Sequence, residues 1–197
     1  MEDLRIGCVV MAAGDARRFG ENKLAAELGG RTLIRRALEA VPAECFCAVA
    51  VVTQYAEVEA LARSFGFLPV RNLHPDWGIS HTIRLGLEAL EDCGGALFMV
   101  SDQPMLRRES VAGTVELFRA HPDKLVGAGH DGVRGNPCIF PAAYFPELLA
   151  LREDRGGSSV IRRHEEDLLL YEVPAWELED ADTRQALRAM EERKRLV

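Results

Sequence analysis

The fold is decided by the stretch Cys8-Val9-Val10-Met11-Ala12-Ala13-Gly14-Asp15-Ala16-Arg17-Arg18-Phe19-Gly20-Glu21-Asn22-Lys23. The run from Ile6 to Ala13 carries no charge, which is typical of a strand buried on both faces of a parallel sheet. The loop after it holds two glycines, two arginines and a lysine within ten residues. Backbone amides and cationic side chains in such a loop can converge on a polyphosphate. The stretch therefore predicts a buried strand followed by a phosphate-binding loop.

Two common phosphate-binding motifs do not fit this loop. A P-loop requires G-x-x-x-x-G-K-[ST], but Gly20 is followed here by Glu21-Asn22-Lys23. A dinucleotide-binding loop requires G-x-G-x-x-G, and the segment from Gly14 to Gly20 has neither that spacing nor the small residues it needs. The loop must therefore belong to another class of phosphate-binding protein.

Length, composition and charge predict one domain that covers residues 1–197. The chain is 48% hydrophobic and 28% charged, with a formal net charge of −7, which argues against a general nucleic-acid-binding surface. The basic loop is a local exception, so we expect a small anionic partner. The first residues contain no basic leader, and no apolar run reaches the length of a membrane span. We expect a cytoplasmic protein that binds neither nucleic acid nor membranes.

The cysteines and histidines do not predict a metal site. The five cysteines are an odd number without a C-x-x-C pair, and three of them lie in apolar strand-like runs, so we expect reduced core thiols. The five histidines lack the spacing of zinc ligands, and we expect them at the surface.

Strand-like and helix-like segments alternate along the chain, which predicts an α/β fold. We expect a doubly wound, mostly parallel sheet with helices on both faces. The predicted strands are Arg5–Met11, Cys45–Thr53, Leu68–Arg71, Ala96–Ser101, Leu125–Ala128, Pro137–Phe140 and Leu168–Val173. Helical periodicity covers four intervening segments, and further helices are expected at Pro146–Leu151, Ser158–His164 and Asp182–Arg195.

In a doubly wound sheet, ligands bind beyond the carboxyl ends of the strands. After the third predicted strand comes the turn-rich segment Asn72–Thr82, in which Ser80 either caps a helix or offers an amide-rich helix end to a nucleotide. After the fourth comes Ser101-Asp102-Gln103-Pro104. Magnesium prefers carboxylate, phosphate and water oxygens, so Asp102 is a predicted Mg²⁺ ligand.

Several motifs in this order resemble one family. The pattern Ala-Ala-Gly, three residues, Arg, one residue, Gly, two residues, Lys is similar to the signature of sugar-phosphate-type nucleotidyltransferases. The remaining motifs narrow the resemblance to the molybdenum cofactor nucleotidyltransferases, the MobA-like group, and within it to the cytidylyltransferase branch. These motifs are Gly30–Leu33, His74–Trp77, Gly78–Arg84, Asp102–Pro104, Arg134–Pro137, Asp154–Gly157 and Asp180–Thr183. The resemblance covers nearly the whole chain and implies a nucleotide-diphospho-sugar-transferase-like, Rossmann-like fold.

The resemblance implies a role for each matching residue. Arg18, Lys23 and Asp102 would be catalytic, with the two cations neutralising charge at the α- and β-phosphates. Mg²⁺ would be held by Asp102 and one of Asp180 and Asp182; Asp182 is preferred, although Asp182-Thr183 also opens a helix and could be only its cap. The residues implied to bind the nucleotide are Ala12, Ala13, Gly14, Asp15, Arg18, Gly20, Lys23, Asp76, Ser80 and Thr82.

A second set of residues is implied to bind the acceptor. Arg134 and Asn136 lie, by prediction, just ahead of a strand and offer a guanidinium and an amide to a phosphate or a pterin edge, unless the segment is only a hairpin turn. Arg155, Gly156 and Gly157 open a predicted helix and would meet the pterin phosphate, or form a simple loop and cap.

The implied reaction transfers CMP from CTP to the phosphate of molybdopterin and releases pyrophosphate. Guanylyl-transferring relatives tend to have a second glycine before Gly14, so the double alanine here favours cytidine. Three alternatives stay open: a GTP-dependent guanylyltransferase, a sugar- or alditol-phosphate nucleotidyltransferase, and a non-catalytic protein that delivers molybdopterin to a molybdoenzyme or chaperone. Four departures from the family pattern bear on rate and base choice: Ala16 for serine, His81 for a small residue, Arg184 for proline, and a segment after Trp77 that is two residues short.

Overall fold

The uncharged run at the start of the chain forms the central strand of the sheet. In this computed structural model, which describes residues 4–14 and 23–195, strand β1 covers Ile6–Ala12. Its side chains alternate between two hydrophobic cores, with Cys8 and Val10 in the first and Val9 in the second. Both faces of β1 are therefore covered, as the absence of charge in this run predicts.

Nine strands form within the described residues. They are β1, β2 (Glu27–Leu28), β3 (Arg31–Thr32), β4 (Ala48–Thr53), β5 (Leu68–Arg71), β6 (Gly95–Val100), β7 (Leu125–His130), β8 (Val133–Pro141) and β9 (Leu168–Glu172). Seven of them make the main sheet in the order β5-β4-β1-β6-β8-β7-β9. Every pairing in it is parallel except those of β8 with β6 and β7, so the expectation of a mostly parallel sheet is confirmed.

Seven α-helices form within the described residues. They are α1 (Leu33–Glu39), α2 (Ala56–Ser64), α3 (Ile79–Glu88), α4 (Arg108–Ala120), α5 (Phe145–Leu149), α6 (Ser158–Ile161) and α7 (Arg184–Arg195). Six of them cover the two faces of this sheet, while α7 packs beside β2. The apolar sides of α1, α2 and α4 pack into the first core, and those of α3, α5 and α6 pack into the second. The doubly wound α/β arrangement is therefore confirmed. No helix among residues 4–14 and 23–195 is long and apolar enough to cross a membrane.

Many element boundaries are shifted from the predicted ones, and the main differences concern β4, β8, α7 and the β2–β3 hairpin. A 3-10 turn occupies Ala43–Cys45, so β4 begins at Ala48 and not at Cys45. Strand β8 begins at Val133, directly after a turn at Asp131 and Gly132, and therefore contains Arg134 and Asn136, which we expected ahead of it. Helix α7 begins at Arg184. The prediction also missed the β2–β3 hairpin, whose turn residues Gly29 and Gly30 both have positive φ.

The cysteines divide into two groups by burial. Cys8, Cys93 and Cys138 are buried, Cys45 is partly exposed and Cys47 is exposed. The expectation of core thiols is therefore wrong for Cys47, because the chain forms a turn before β4 where a strand was predicted.

Candidate active site

The carboxyl ends of β1, β4 and β6 meet at one edge of the sheet. Ser101, directly after β6, donates a hydrogen bond from its hydroxyl to the Met11 carbonyl at 2.9 Å. From the other side, the Gln54 amide donates to the Ala13 carbonyl at 2.9 Å and the Tyr55 hydroxyl donates to the Gly14 carbonyl at 3.2 Å. The start of the predicted phosphate-binding loop, at Ala13 and Gly14, is thus held by the loops that follow both neighbouring strands.

Part of the predicted nucleotide site lies at this end of β1, and part lies outside the described residues. Ala12 and Ala13 are buried, and Gly14 is exposed. Asp15, Arg18 and Gly20, together with Ala16, fall in the segment 15–22, outside the described residues. Their predicted roles remain predictions.

Lys23 joins two distant parts of the chain at this edge. Its Nζ donates to Asp102 Oδ2 at 3.0 Å and to Asp182 Oδ1 at 2.7 Å, although these acids are 79 and 159 residues away in sequence. Burial lowers the pKa of the Lys23 ammonium, but the hydrogen bonds to Asp182 and Asp102 outweigh burial and raise that pKa above its ordinary value. Lys23 is therefore a firmly protonated cation between two carboxylates.

A third carboxylate stands beside this cluster. Asp180 accepts a hydrogen bond from Gln103 Nε2 at 3.0 Å, and the same amide nitrogen donates to the Leu178 carbonyl. Burial and the negative charge of Asp102 raise the pKa of the Asp180 carboxyl. Asp180 is therefore close enough to Asp102 and Asp182 for their negative charges to act on its carboxyl. The loop from Leu178 is anchored further by the Ala181 amide, which donates to the Asp102 carbonyl at 2.8 Å.

One carboxylate oxygen of Asp102 indicates that a divalent cation fits at this site. Asp102 Oδ1 is buried and has no hydrogen-bond partner among the described residues. A buried carboxylate oxygen without a partner is costly, and a hard cation is the kind of ligand that satisfies it. The Asp102 carboxylate therefore fits a divalent cation. Asp182 is the second carboxylate beside it, since both acids pair with the Lys23 ammonium.

Asp182 does not serve as the helix cap that the sequence left open. Thr183 takes that role, because its Oγ1 accepts a hydrogen bond from the Ala186 amide at 3.0 Å. The Asp182 carboxylate is instead directed to Lys23 and is 58% exposed.

The segment Asn72–Thr82 forms a tightly held loop and the first turn of α3. The buried Asn72 side chain donates to Thr82 Oγ1 at 3.2 Å and accepts from the His74 amide at 2.9 Å. Gly78 has φ 84° and packs against the backbone of Glu153, where a Cβ would lie 2.4 Å from the carbonyl carbon. Only glycine fits at that position.

The predicted nucleotide ligands of this loop take different positions. Gly78 occupies the N-cap of α3, so Ser80 is not the cap; it lies in the first turn and is 4% exposed. Thr82 is 7% exposed and already bonded to Asn72, whereas Asp76 is exposed in the 3-10 turn Pro75–Trp77. Of these residues, Asp76 alone presents its side chain fully to solvent.

Most of the predicted acceptor residues line one cavity of about 100 Å³. Arg134, Asn136, Gly156 and Gly157 border it, whereas Arg155 is exposed and is not among its lining residues. Arg134 is held in place by donating from Nη2 to Ser158 Oγ at 2.9 Å. Two strand residues also line the cavity: Met11, the second-to-last residue of β1, and Val100, the last residue of β6. The cavity therefore includes residues near the carboxyl ends of β1 and β6.

Gln54, Tyr55 and Gln103 were missed as residues that shape the site. Each directly follows a strand or the strand-end acid, which is the signal that could have found them. Glutamine and tyrosine carry no charge, however, and their contacts with backbone carbonyls are invisible in a sequence.

Comparison with known proteins identifies relatives of this fold. The purine catabolism protein PucB of Bacillus subtilis (strain 168) is 27% identical over 188 residues, which cover 89% of this chain and 90% of that protein. The crystal structure of Rv0371c from Mycobacterium tuberculosis H37Rv is 20% identical with a TM-score of 0.80, covering 98% of this chain and 100% of that one. A manganese complex of Rv0371C gives a TM-score of 0.73 at 19% identity, covering 95% and 98%.

A molybdopterin-guanine dinucleotide biosynthesis protein A from Archaeoglobus fulgidus shares the fold as well. It superposes with a TM-score of 0.71 at 18% identity, covering 97% of this chain and 100% of that one. These structural similarities establish the fold. The model of the MobA-like NTP transferase domain matches residues 8–168, which include Lys23 and Asp102 but not Asp180 or Asp182. The chain therefore belongs to the MobA-like NTP transferase domain family and is a nucleotidyltransferase.

Proposed function

We propose that this nucleotidyltransferase moves CMP from CTP to the phosphate of molybdopterin, with Mg²⁺ as its cation and pyrophosphate as the second product. The observation that carries the proposal is the Lys23 ammonium between Asp102 and Asp182. It is supported by the cavity that Arg134 and Asn136 line together with the strand-end residues Met11 and Val100. We infer that the triphosphate binds at the Lys23 cluster and the acceptor binds in this cavity, since transfer between two bound substrates requires both sites.

The chemistry needs positioning and charge neutralisation more than proton transfer. A phosphate oxygen of the acceptor attacks the α-phosphate of the nucleotide, a new P–O bond forms, and the bond to pyrophosphate breaks. A phosphomonoester is already anionic at neutral pH, so no general base is required. Asp102 and Asp182 would hold Mg²⁺, which supplies positive charge to the phosphate oxygens when it is bound.

The chain's own residues then have separate tasks. Lys23 neutralises two carboxylates in the structure and, being firmly protonated, is available to pair with phosphate oxygens that arrive at the same place. Arg134, fixed by Ser158, presents a guanidinium at the acceptor cavity. The Phe98 and Phe140 rings on the cavity wall suit a flat heteroaromatic head group.

The choice of CTP over GTP rests on the double alanine before Gly14. Ala12 and Ala13 are buried, and the Ala13 carbonyl is bonded to Gln54, so the backbone path at this point is fixed. The manganese complex of Rv0371C supports a divalent cation in this fold. A pterin acceptor is supported by the molybdopterin-guanine protein among the structural neighbours. We further propose that the protein works in the cytoplasm and passes its product to a molybdoenzyme or chaperone.

The test is a competition assay on the purified chain. Molybdopterin is supplied with equal CTP and GTP and with Mg²⁺, and both pyrophosphate release and the nucleotide–pterin adduct are measured. We expect the cytidine adduct to predominate. We also expect Asp102→Ala and Asp102→Asn to lose activity by at least about 10²-fold, because the buried oxygen that fits the cation is removed or neutralised. Glu165→Gln, at an exposed carboxylate of another loop, is the matched control and should keep full activity.

The other outcomes identify the alternatives. A predominant guanosine adduct would assign GTP, and activity on sugar or alditol phosphates without activity on molybdopterin would reject the pterin acceptor. Tight binding of CTP or molybdopterin in calorimetry without pyrophosphate release would indicate a delivery protein and overturn transfer to this acceptor.

A further inference from the structure

Two cysteines lie in contact at the amino ends of the central strands, opposite the candidate active site at their carboxyl ends. Cys47 directly precedes β4 and Cys93 lies two residues before β6, and these strands flank β1 on its two sides. The Cys47 amide donates to the Ile6 carbonyl at 2.9 Å, and the Gly94 amide donates to the Arg5 carbonyl at 2.8 Å. Both cysteine backbones are therefore held by the beginning of β1.

The two sulfur atoms are already in contact. Cys47 Sγ and Cys93 Sγ lie 3.2 Å apart, and Cys93 Sγ also donates to the Glu91 carbonyl at 3.6 Å. A disulfide bond is about 2 Å long, so closing the gap requires about 1 Å of movement between two side chains on fixed backbones. Cys47 is exposed to solvent, whereas Cys93 is 9% exposed. The pair therefore combines one accessible thiol with one sheltered partner.

We propose that Cys47 and Cys93 are a modification site, at which a small-molecule disulfide such as oxidised glutathione converts the two thiols into a reversible intramolecular disulfide. The inference does not depend on which nucleotide or acceptor the enzyme uses. It differs from the expectation of inert core thiols because Cys47 is neither buried nor alone.

The exchange balances in two steps. The Cys47 thiolate attacks one sulfur of oxidised glutathione, forms a mixed disulfide and releases one glutathione thiolate, which takes up the Cys47 proton. Cys93 then attacks Cys47 Sγ, forms the internal S–S bond and displaces the second glutathione, which takes up the Cys93 proton. Two protein thiols are oxidised and one glutathione disulfide is reduced to two glutathiones. Burial, followed by the hydrogen bond with Cys47, raises the pKa of Cys93 to about 12, which fits the order in which the exposed sulfur reacts first.

The bridge would enclose the part of the chain that carries one side of the active site. Residues 47–93 include β4, α2, β5, the Asn72–Thr82 loop and α3. Closing a loop of this length lowers the entropy of the unfolded chain, so we expect oxidation to raise Tm on the order of 5 to 10 °C. Catalysis should be unchanged, because Lys23 and Asp102 lie at the opposite ends of the strands.

The test uses the full chain, incubated with oxidised or reduced glutathione, alkylated without reduction, digested and analysed by mass spectrometry. We expect a peptide pair joined through Cys47 and Cys93 in the oxidised sample, lost on treatment with dithiothreitol, together with the rise in Tm. Cys45→Ser, which removes the neighbouring partly exposed thiol, is the matched control and should still form the bridge. Cys47→Ser should abolish both the bridged peptide and the Tm shift.

Three results would overturn the proposal. One is a glutathione adduct that stays on Cys47 while Cys93 remains open to alkylation after unfolding. The second is a dimer joined through Cys47 in place of the internal bridge. The third is a bridged peptide that forms equally in folded protein and in protein unfolded in urea, because the fold would then not be what brings the two sulfur atoms together.

Discussion

At the scale of single residues, Lys23 determines which carboxylates of the candidate site are paired. It contacts Asp102 and Asp182 but not Asp180, which is held by Gln103. The sequence places all three acids after strands or before a helix, which is enough to predict an acidic cluster. It cannot tell which acid meets the lysine, because that choice depends on side-chain directions set by a contact over 159 residues.

The roles of Asp182 and Asp180 can be separated by matched amide substitutions. We expect Asp182→Asn to lower kcat/KM on the order of 10²-fold, because it removes a charged partner of Lys23 and a proposed cation ligand. We expect Asp180→Asn to lower it by less than about 10-fold, because an asparagine oxygen can still accept the Gln103 hydrogen bond and one negative charge leaves a crowded cluster. Steady-state kinetics over a range of Mg²⁺ concentrations provide the measurement. A larger loss for Asp180→Asn would assign the cation to Asp180.

At the scale of elements, most strands and helices could be predicted because their apolar periodicity is strong. The strands Leu68–Arg71, Leu125–His130 and Leu168–Glu172 begin where the sequence predicts them. The β2–β3 hairpin could not be predicted, because two-residue strands carry no periodicity and the Gly29-Gly30 turn is their only signal. Strand β8 was predicted too short because Arg134, Gly135 and Asn136 are poor strand formers, and its pairing with β7 extends it.

One contact between elements fixes the distance of α3 from the sheet. A Cβ at Gly86 would lie 2.4 Å from Val9 Cγ1, so the helix can approach β1 closely only without a side chain there. The loop that carries Asp76 leads directly into this helix, and Ser80 lies in its first turn. The position of the candidate nucleotide-binding loop therefore depends on a glycine that has no contact with any ligand.

A double-mutant cycle tests this contact. Gly86→Ala gains about 1 kcal/mol of helix propensity but introduces a clash that costs roughly 1–3 kcal/mol or more, so we expect a net loss of stability. Val9→Ala removes the clashing methyl groups and is destabilising by itself, because Val9 is fully buried. The double variant should be more stable than the sum of the single effects by at least about 0.5 kcal/mol in urea unfolding. Additivity within that margin would show that Gly86 is not in close contact with Val9.

At the scale of the whole molecule, the main sheet joins a group of parallel strands to one antiparallel strand, β8. Strands β5, β4, β1 and β6 are all parallel, and Asp102 of the Lys23 cluster follows β6, whereas β8 runs antiparallel to its neighbours and contributes Arg134 to the cavity. The reversal at β8 places Arg134 and Asn136 near the beginning of their strand, in the same cavity as Val100 at the end of β6. Its existence could not be read from the sequence, because a short apolar strand gives no indication of its direction.

A polar network holds the far side of this sheet together and makes its stability depend on pH. Lys124 precedes β7, Asp167 precedes β9 and Tyr144 precedes α5, and both Lys124 Nζ and Tyr144 Oη donate to the Asp167 carboxylate, at 2.7 and 2.9 Å. These two hydrogen bonds hold the pKa of the Asp167 carboxyl below its ordinary value. A carboxyl whose pKa is lower in the folded state stabilises the fold above its unfolded pKa, and this contribution disappears as pH falls through the folded pKa.

We therefore expect the stability difference between the wild type and Asp167→Asn to be largest near pH 7. It should shrink once the pH falls below about 4, the ordinary pKa of an aspartate. Urea unfolding at a series of pH values from 7 to 3 measures it, with Glu165→Gln, an exposed carboxylate of the same turn, as the control for loss of one negative charge. Added salt should reduce the difference at pH 7, because Asp167 and Lys124 are partly exposed. A difference that stays constant from pH 7 to pH 3 would mean that the Asp167 side chain stabilises the fold through its shape and not through its charge.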